Sequence, residues 1–259
     1  MNKNLSLVTG FIDIGRENWT YDSSRSIDKY FEYFSNLAKI ENDMYVFIEE
    51  KFVDKILLAR NGKKTYIEIV NIKNDFSNLL KDIDNIQKSD YFKNLLNKKD
   101  LNNPDYCSPE YVLVMLSKVY YVNLFIKKYK IDSNLIAWVD FGYVRNSSMI
   151  KKDKTFHIKF NEEKIHLLSL KEINEDVDVK KAMLTNDVFI TGSQIIASKK
   201  MWSMLNIFIN NSIQECIKNG IIDDDQGILL DCYIKNKDFF ELHNTNGQWF
   251  KMFEYGEWF

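Results

Sequence analysis

Residues 135–145 read Leu-Ile-Ala-Trp-Val-Asp-Phe-Gly-Tyr-Val-Arg. Leu135–Val139 is a continuous apolar run of strand length, ended abruptly by an aspartate. A strand apolar on both faces must be covered on both sides, the habit of parallel sheets interleaved with helices. Asp140-Phe141-Gly142 then stands at the carboxyl end of such a strand, where open α/β sheets bind their ligands.

Working outward, Ser6–Phe11, Met44–Ile48 and Thr65–Val70 read as further buried strands. Between them, Tyr30, Phe31, Phe34, Leu37 and Ala38 line one face of a helix expected over Ser26–Ile40. The polar stretch Ile72–Asn103 reads as short helical pieces on the outside of the domain. Ser108 caps a long helix that starts at Pro109 and runs to about Lys130. Lys154–Phe160 alternates like an exposed strand, and Val188–Ala197 like a strand pair or a strand and turn. Met201, Trp202, Leu205, Phe208, Ile209, Ile213, Cys216 and Ile217 share a helical face closed by Gly220. A further helix starts at Asp223-Asp224-Asp225-Gln226, and Phe239–His243 reads as the last strand. Strands alternating with helices predict an α/β fold, Rossmann-like, with a mostly parallel central sheet flanked by helices.

The 259 residues, 30.8 kDa in mass, carry 35 basic and 37 acidic side chains and a net charge of −2, so no basic excess points to nucleic acid. The mass predicts roughly 12,000 Å² of exposed surface. Cys107, Cys216 and Cys232 are odd in number and far apart, and read as buried thiols of a reducing compartment rather than a disulfide or zinc framework. The first residues do not read as a signal peptide, and no apolar run reaches membrane-spanning length. The location expected is the cytoplasm. There is no Walker-type phosphate loop, no GxGxxG after the first strand and no GxSxG elbow, which argues against a P-loop ATPase, a dinucleotide oxidoreductase and an α/β-hydrolase.

Three polar clusters end apolar strands or open a helix. Asp13-Ile14-Gly15-Arg16 follows the first strand. Gly15 allows close backbone approach to a ligand, and Arg16 could pair with phosphate; a tight turn with a surface arginine reads equally well. Asp140, with Gly142 and Arg145 after it, suits either a hard divalent cation and pyrophosphate or an ordinary turn aspartate. Asp223-Asp224-Asp225 favours a helix N-terminus, and one of three crowded carboxylates could have a raised pKa and act as a base. Only four of the basic residues are arginine, Arg16, Arg25, Arg60 and Arg145. In a lysine-rich chain an arginine stands out, because its planar five-donor fork suits phosphate; surface ion pairs are the plainer reading. Of these, Arg16 and Arg145 carry the functional reading best. His243 closes the last strand as a candidate ligand, whereas His157 and His166 carry no assigned role. The aromatic C-terminus, Trp249 included, reads as a tail over the core or as a platform for sugar rings.

Taken together, Val8–Arg16 with Trp19, Arg25-Ser26 with Tyr30, Pro109-Glu110-Tyr111 with Lys118, Ala137–Tyr143 with Arg145, and Asp225-Gln226 resemble the bacterial HtrL/YibB (WlaTC/HtrL) family. The resemblance covers nearly the whole chain and implies a surface-glycan context, because the family is found near lipopolysaccharide-core and surface-polysaccharide genes. The layout is also similar to GT-A glycosyltransferases. This likeness implies one domain over residues 1–259, with a nucleotide-binding part (1–145) and an acceptor-binding part (146–259). It implies Asp13, Gly15, Arg16, Arg25, Lys118 and Arg145 at the nucleotide and phosphates. Asp140 and His243 would hold Mn²⁺ or Mg²⁺, although Gly142 stands where the second carboxylate of Asp-x-Asp belongs. Asp225 would be the base if the reaction inverts configuration, or would position the sugar if it retains it, and Asp224, Gln226 and Trp249 would meet the acceptor. The implied reaction moves a sugar from a nucleotide-diphosphate donor, UDP by preference, to a lipopolysaccharide, lipooligosaccharide or capsule acceptor. A lipid-linked acceptor would bring the enzyme to the inner face of the cell membrane. A non-catalytic nucleotide-sugar or glycan binder, and a phosphoryl or nucleotidyl transferase, are the alternatives.

Overall fold

The computed structural model describes residues 5–19 and 24–259. The first part of the chain forms β1 (Leu5–Phe11), α1 (Ile27–Leu37), β2 (Met44–Ile48), α2 (Val53–Arg60) and β3 (Thr65–Ile69). Short helices α3 (Ile72–Asp75), α4 (Ser77–Lys88), α5 (Asp90–Leu95) and α6 (Pro104–Cys107) lead into the long α7 (Pro109–Lys128) and then β4 (Leu135–Val139). After these come β5 (Phe156–Ile158), β6 (Ile165–Ser169), α8 (Val179–Thr185), β7 (Ile190–Ser198) and α9 (Lys199–Lys218). The chain continues through α10 (Asp225–Lys235), β8 (Phe240–Asn244) and β9 (Gly256–Trp258).

Seven strands form one sheet in the order β3-β2-β1-β4-β7-β6-β8. β1 is parallel to both β2 and β4, β2 to β3, and β6 to β8, while β7 runs antiparallel to β4 and β6. The chain builds outward from β1 through β2 to β3, then returns to place β4 on the other side of β1. The β1/β4 boundary is therefore the switch point where α/β sheets open a crevice. Alternation along the strands divides the core. Val8, Tyr45, Phe47, Ile136 and Trp138 face α7, α9 and α10, whereas Leu5, Leu7, Val46, Ala137 and Val139 face α1 and the C-terminal aromatics. The folded chain exposes 12426 Å².

Several local readings differ from the structure. α1 stops at Leu37; Ser26 is its cap, its Oγ accepting from the Lys29 N–H at 3.2 Å. The 154–160 segment is not an exposed strand. Phe156 and Ile158 are fully buried, because β5 pairs with β9 and because Asn42 hydrogen-bonds both the N–H and the carbonyl of Phe156 at 2.8 Å. Residues 190–198 are one strand rather than a pair. β6 went unread because His166 interrupts its apolar pattern, yet every residue in it is buried. Phe240–Asn244 is followed by one more strand, β9, among the described residues. Among those residues, no helix is long and apolar enough to cross a membrane.

Candidate functional site

A cavity of about 270 Å³ opens at the carboxyl ends of β1 and β4. The Asp140 N–H donates to the Ser193 carbonyl at 2.9 Å, which locks the exit of β4 to the start of β7. The Trp138 indole N–H donates to Asp140 Oδ1 at 2.8 Å and fixes the carboxylate's direction.

Lys118 comes up from beneath, on α7. It is 3% exposed, and its ammonium reaches Asp225 Oδ2 at 2.6 Å, Asp140 Oδ1 at 2.9 Å and the Gly192 carbonyl at 3.1 Å. An ammonium has three protons, so these acceptors use all of them. Burial disfavours the charge, but the two carboxylates outweigh it and lift the Lys118 pKa. Asp225 is the first residue of α10, and burial pushes its carboxyl up while Lys118 pulls it down. Gly192 makes the meeting sterically feasible: a Cβ there would fall well inside van der Waals contact with the Asp225 carboxylate.

Behind Asp225 lie Asp105, Asp223 and Asp224. Burial pushes the Asp105 carboxyl up to about 6, and burial with mutual repulsion raises Asp223 and Asp224 well above the usual range. Asp224 caps α10, its Oδ1 accepting from the Gln226 N–H at 2.8 Å, and its Oδ2 is buried without a hydrogen-bond partner.

The opposite wall is cationic and aromatic. Arg16 donates to the Tyr30 hydroxyl at 2.8 Å and lies 5.1 Å from the Trp19 ring and 5.5 Å from that of Tyr111. Arg25 lies over Tyr30 and Tyr33. Arg145 is sandwiched between Tyr33, at 4.5 Å, and Phe250, at 5.1 Å, and its buried Nε has no hydrogen-bond partner. Burial, together with repulsion from Arg145 and Arg16, lowers the Arg25 pKa. Among the described residues, no carboxylate pairs with Arg25 or Arg145. Three of the four arginines thus face one cavity. The fourth, Arg60, is 1% exposed and among the described residues bonds only to backbone carbonyls and the Thr65 hydroxyl.

The cavity brings together Asp13, Arg16, Arg25, Lys118, Asp140 and Arg145 with Asp225, Gln226 and Trp249. Asp13 is a loop organiser: its carboxylate accepts from the Gly15 N–H and from Lys51, both at 3.0 Å. Burial raises its pKa, but these donors outweigh it and hold the carboxyl below its usual range. Gly15 does not line the cavity; it turns the backbone there with φ +70°. Lys118 is not a free phosphate ligand, because its protons are already engaged. Asp224 is 3% exposed and faces the helix end rather than the cavity. His243 is not at the cavity. It sits on β8, three strands from β4, where its Nε2 lies 3.0 Å from His166 Nδ1. The sequence reading missed Tyr33 and Gly192, gave Tyr111 no role beyond the family resemblance, and took Phe250 only as one of the C-terminal aromatics. Tyr33 looks like an ordinary core aromatic in the sequence, and the glycine carries no local signal.

These residues do not fit a divalent cation beside Asp140. Gly142 supplies no carboxylate, His243 is elsewhere, and the Lys118 ammonium already bridges Asp140 Oδ1 and Asp225 Oδ2, supplying the positive charge between these two carboxylates. Any side chain at 142 would also press on Tyr30, whose ring is 3.3 Å from where a Cβ would stand.

The model of the family described as "Bacterial protein of unknown function (HtrL_YibB)" matches residues 3–256. The chain is 36% identical to "Protein HtrL" of Escherichia coli (strain K12) over 263 aligned residues, covering 98% of this chain and 92% of that one. Among solved structures it is similar to mouse xyloside xylosyltransferase 1 in its apo form, at 9% identity and a TM-score of 0.46, over 93% of this chain and 85% of that one.

Proposed function

The chain belongs to the HtrL_YibB family, and from its pocket we propose that it is a glycosyltransferase that takes a sugar from a nucleotide-diphosphate donor, a UDP-sugar by preference, to a bacterial surface-glycan acceptor. One observation carries this reading. Arg16, Arg25 and Arg145, laid on aromatic rings and the last two with no carboxylate partner among the described residues, face the same cavity as a buried Asp–Lys–Asp cluster. Guanidinium forks on aromatic faces suit the diphosphate, and the neighbouring rings suit a base and sugars.

In this reading Arg16, Arg25 and Arg145 stabilise the charge that develops on the departing diphosphate. Asp225 takes the proton of the acceptor hydroxyl, its raised pKa suiting a general base. Lys118 holds Asp140 and Asp225 in place. Gln226 and Trp249 meet the acceptor. Residues 1–145 form the donor part and residues 146–259 the acceptor part of one domain, acting at the inner face of the membrane when the acceptor is lipid-linked. No step uses a metal ion.

Thermal shift against UDP, GDP, CMP and ADP, with Mn²⁺ or with a chelator, tests the reading. A nucleoside diphosphate at about 100 times its dissociation constant should add roughly 2.7 kcal/mol. The expected gain persists in the chelator and falls to about half in Arg145→Ala. The matching nucleotide-sugar should then turn over. Stabilisation without turnover on any glycan would favour the non-catalytic binder, to which the glycine at 142 also points. No stabilisation by any nucleotide would overturn the proposal.

A further inference from the structure

Away from the cavity, His166, Glu241 and His243 form a cluster that the function above does not use. Parallel pairing of β6 with β8 sets His166 opposite Glu241 and Leu168 opposite His243. Paired residues share a sheet face, and so do residues two apart, so all three side chains project from the same side. His166 Nδ1 lies 3.0 Å from His243 Nε2 and 3.8 Å from Glu241 Oε2, and one ligand atom from each residue lies within 4.8 Å of the others.

The rings are prepared for ligation. The Asn161 carbonyl can only accept, so His166 Nε2, 2.8 Å away, carries the proton. In the neutral ring this leaves the Nδ1 lone pair aimed at the cluster. A backbone carbonyl behind the far nitrogen is the outer support that metal-bound histidines commonly have. Phe160 stacks on both imidazoles at 4.3 Å and fixes their planes. Two nitrogens on a tetrahedral ion at about 2.05 Å stand about 3.3 Å apart, so the pair needs to open only slightly. The proton of His243 moves from Nε2 to Nδ1, a tautomeric shift with no net charge change. Glu241 is the mobile ligand: its side chain is 47% exposed and can swing inward, leaving a fourth position to water.

We propose that His166 Nδ1, His243 Nε2 and the Glu241 carboxylate bind a borderline transition-metal ion, Zn²⁺ by class, that clamps the edge strand β8 to β6. Imidazole pairs with one carboxylate select such ions over Mg²⁺, Ca²⁺ or Mn²⁺. The chain leaving β8 runs to Trp249 and Phe250 in the cavity wall, so the ion would anchor the segment that carries them. This site is independent of the proposed transferase reaction.

The test uses the full chain, stripped with chelator and titrated with Co²⁺ followed by absorption, and with Zn²⁺ followed by calorimetry. The expected result is one equivalent bound, visible d–d bands of four-coordinate Co²⁺ and a rise in melting temperature. His243→Ala should abolish the bands. Glu241→Gln, a surface change that leaves the strand intact, should weaken binding about tenfold or more. Asp140→Asn should leave binding unchanged. No stoichiometric binding would overturn the proposal. So would binding that survives both His243→Ala and Glu241→Gln, or that Asp140→Asn removes.

Discussion

Lys118 Nζ and Asp225 Oδ2 meet at 2.6 Å across 107 residues of sequence, both side chains at most 5% exposed. The contact ties α7 to the start of α10 and aims Asp225 at the cavity. Removing one member of a buried ion pair leaves the other desolvated and unpaired, at a cost of about 3–5 kcal/mol. Lys118→Met should lose stability of that order, because Asp140 and Asp225 then repel without an intervening charge. Lys118→Met with Asp225→Asn should recover part of it. Urea denaturation of the singles and the double measures the coupling, and a single mutant within about 1 kcal/mol of wild type would remove Lys118 as the organiser.

Gly192 and Gly142 both border the site but differ in the room they leave. An added Cβ at 192 collides with the Asp225 carboxylate, whereas at 142 it meets the Tyr30 ring at 3.3 Å. Gly192→Ala should displace Asp225, lower stability by about 1–3 kcal/mol and abolish turnover of the nucleotide-sugar. Gly142→Ala should retain most of both. Equal effects in melting and rate measurements would contradict this ordering.

Much of this arrangement was legible in the sequence. Continuous apolar runs at 6–11, 44–48 and 135–139 marked strands covered on both faces, and the polar residues closing them had to gather at the sheet's carboxyl edge. That logic brought Asp13, Arg16 and Asp140 to one cavity. It failed where a partner lies far along the chain. Nothing near residue 118 says that its ammonium is already engaged, and His166 looks polar in sequence because the β8 edge that buries it is distant. Of the scarce arginines, 16, 25 and 145 line the cavity, but scarcity alone favoured Arg16 and Arg145 and could not separate Arg25 from Arg60, whose acceptors are backbone carbonyls and the Thr65 hydroxyl.

Arg145 offers planar donors between two rings, with its buried Nε unpartnered. Arg145→Ala should weaken nucleoside diphosphate binding about tenfold, or 1.4 kcal/mol, and leave the uncharged nucleoside nearly unaffected. Arg145→Lys should not restore affinity, because an ammonium neither stacks nor forks. Calorimetry with diphosphate and nucleoside separates charge recognition from base recognition; equal losses for both would place Arg145 at the base instead.

The carboxylates behind Asp225 predict an unusual pH dependence. Burial raises Asp105 to about 6, above its unfolded value of 3.8. A carboxyl raised on folding contributes stability that is fully present below about pH 4 and is lost as pH rises through about 6. Asp223 and Asp224 shift in the same direction. Stability should therefore fall across this window, by on the order of 2–3 kcal/mol from Asp105. Asp105→Asn should flatten that limb and be more stable than wild type at pH 7. A wild-type profile that instead rises from pH 4 to 7, with no gain in the variant, would show that Asp105 ionises freely.

Arg60 is the arginine that serves the fold. Its Nη1 donates to the carbonyls of Ala38 at 2.9 Å and Ile40 at 2.6 Å, its Nη2 to that of Asn42 at 2.9 Å, and its Nε to the Thr65 hydroxyl at 3.0 Å. These bonds join the end of α1 and the loop before β2 to the start of β3. Burial lowers the Arg60 pKa to about 10, yet the group stays charged at neutral pH. Arg60→Met would leave several buried acceptors without donors, at about 1–3 kcal/mol each before relaxation, so a loss of at least about 3 kcal/mol is expected. Arg60→Lys should recover only part of it, since three protons cannot serve this spread of acceptors. Neither variant should alter nucleotide affinity in the folded fraction, because Arg60 does not line the cavity. Urea unfolding with calorimetry on the same samples checks both halves. A change in affinity larger than the change in stability would mean that the loop before β2 communicates with the pocket.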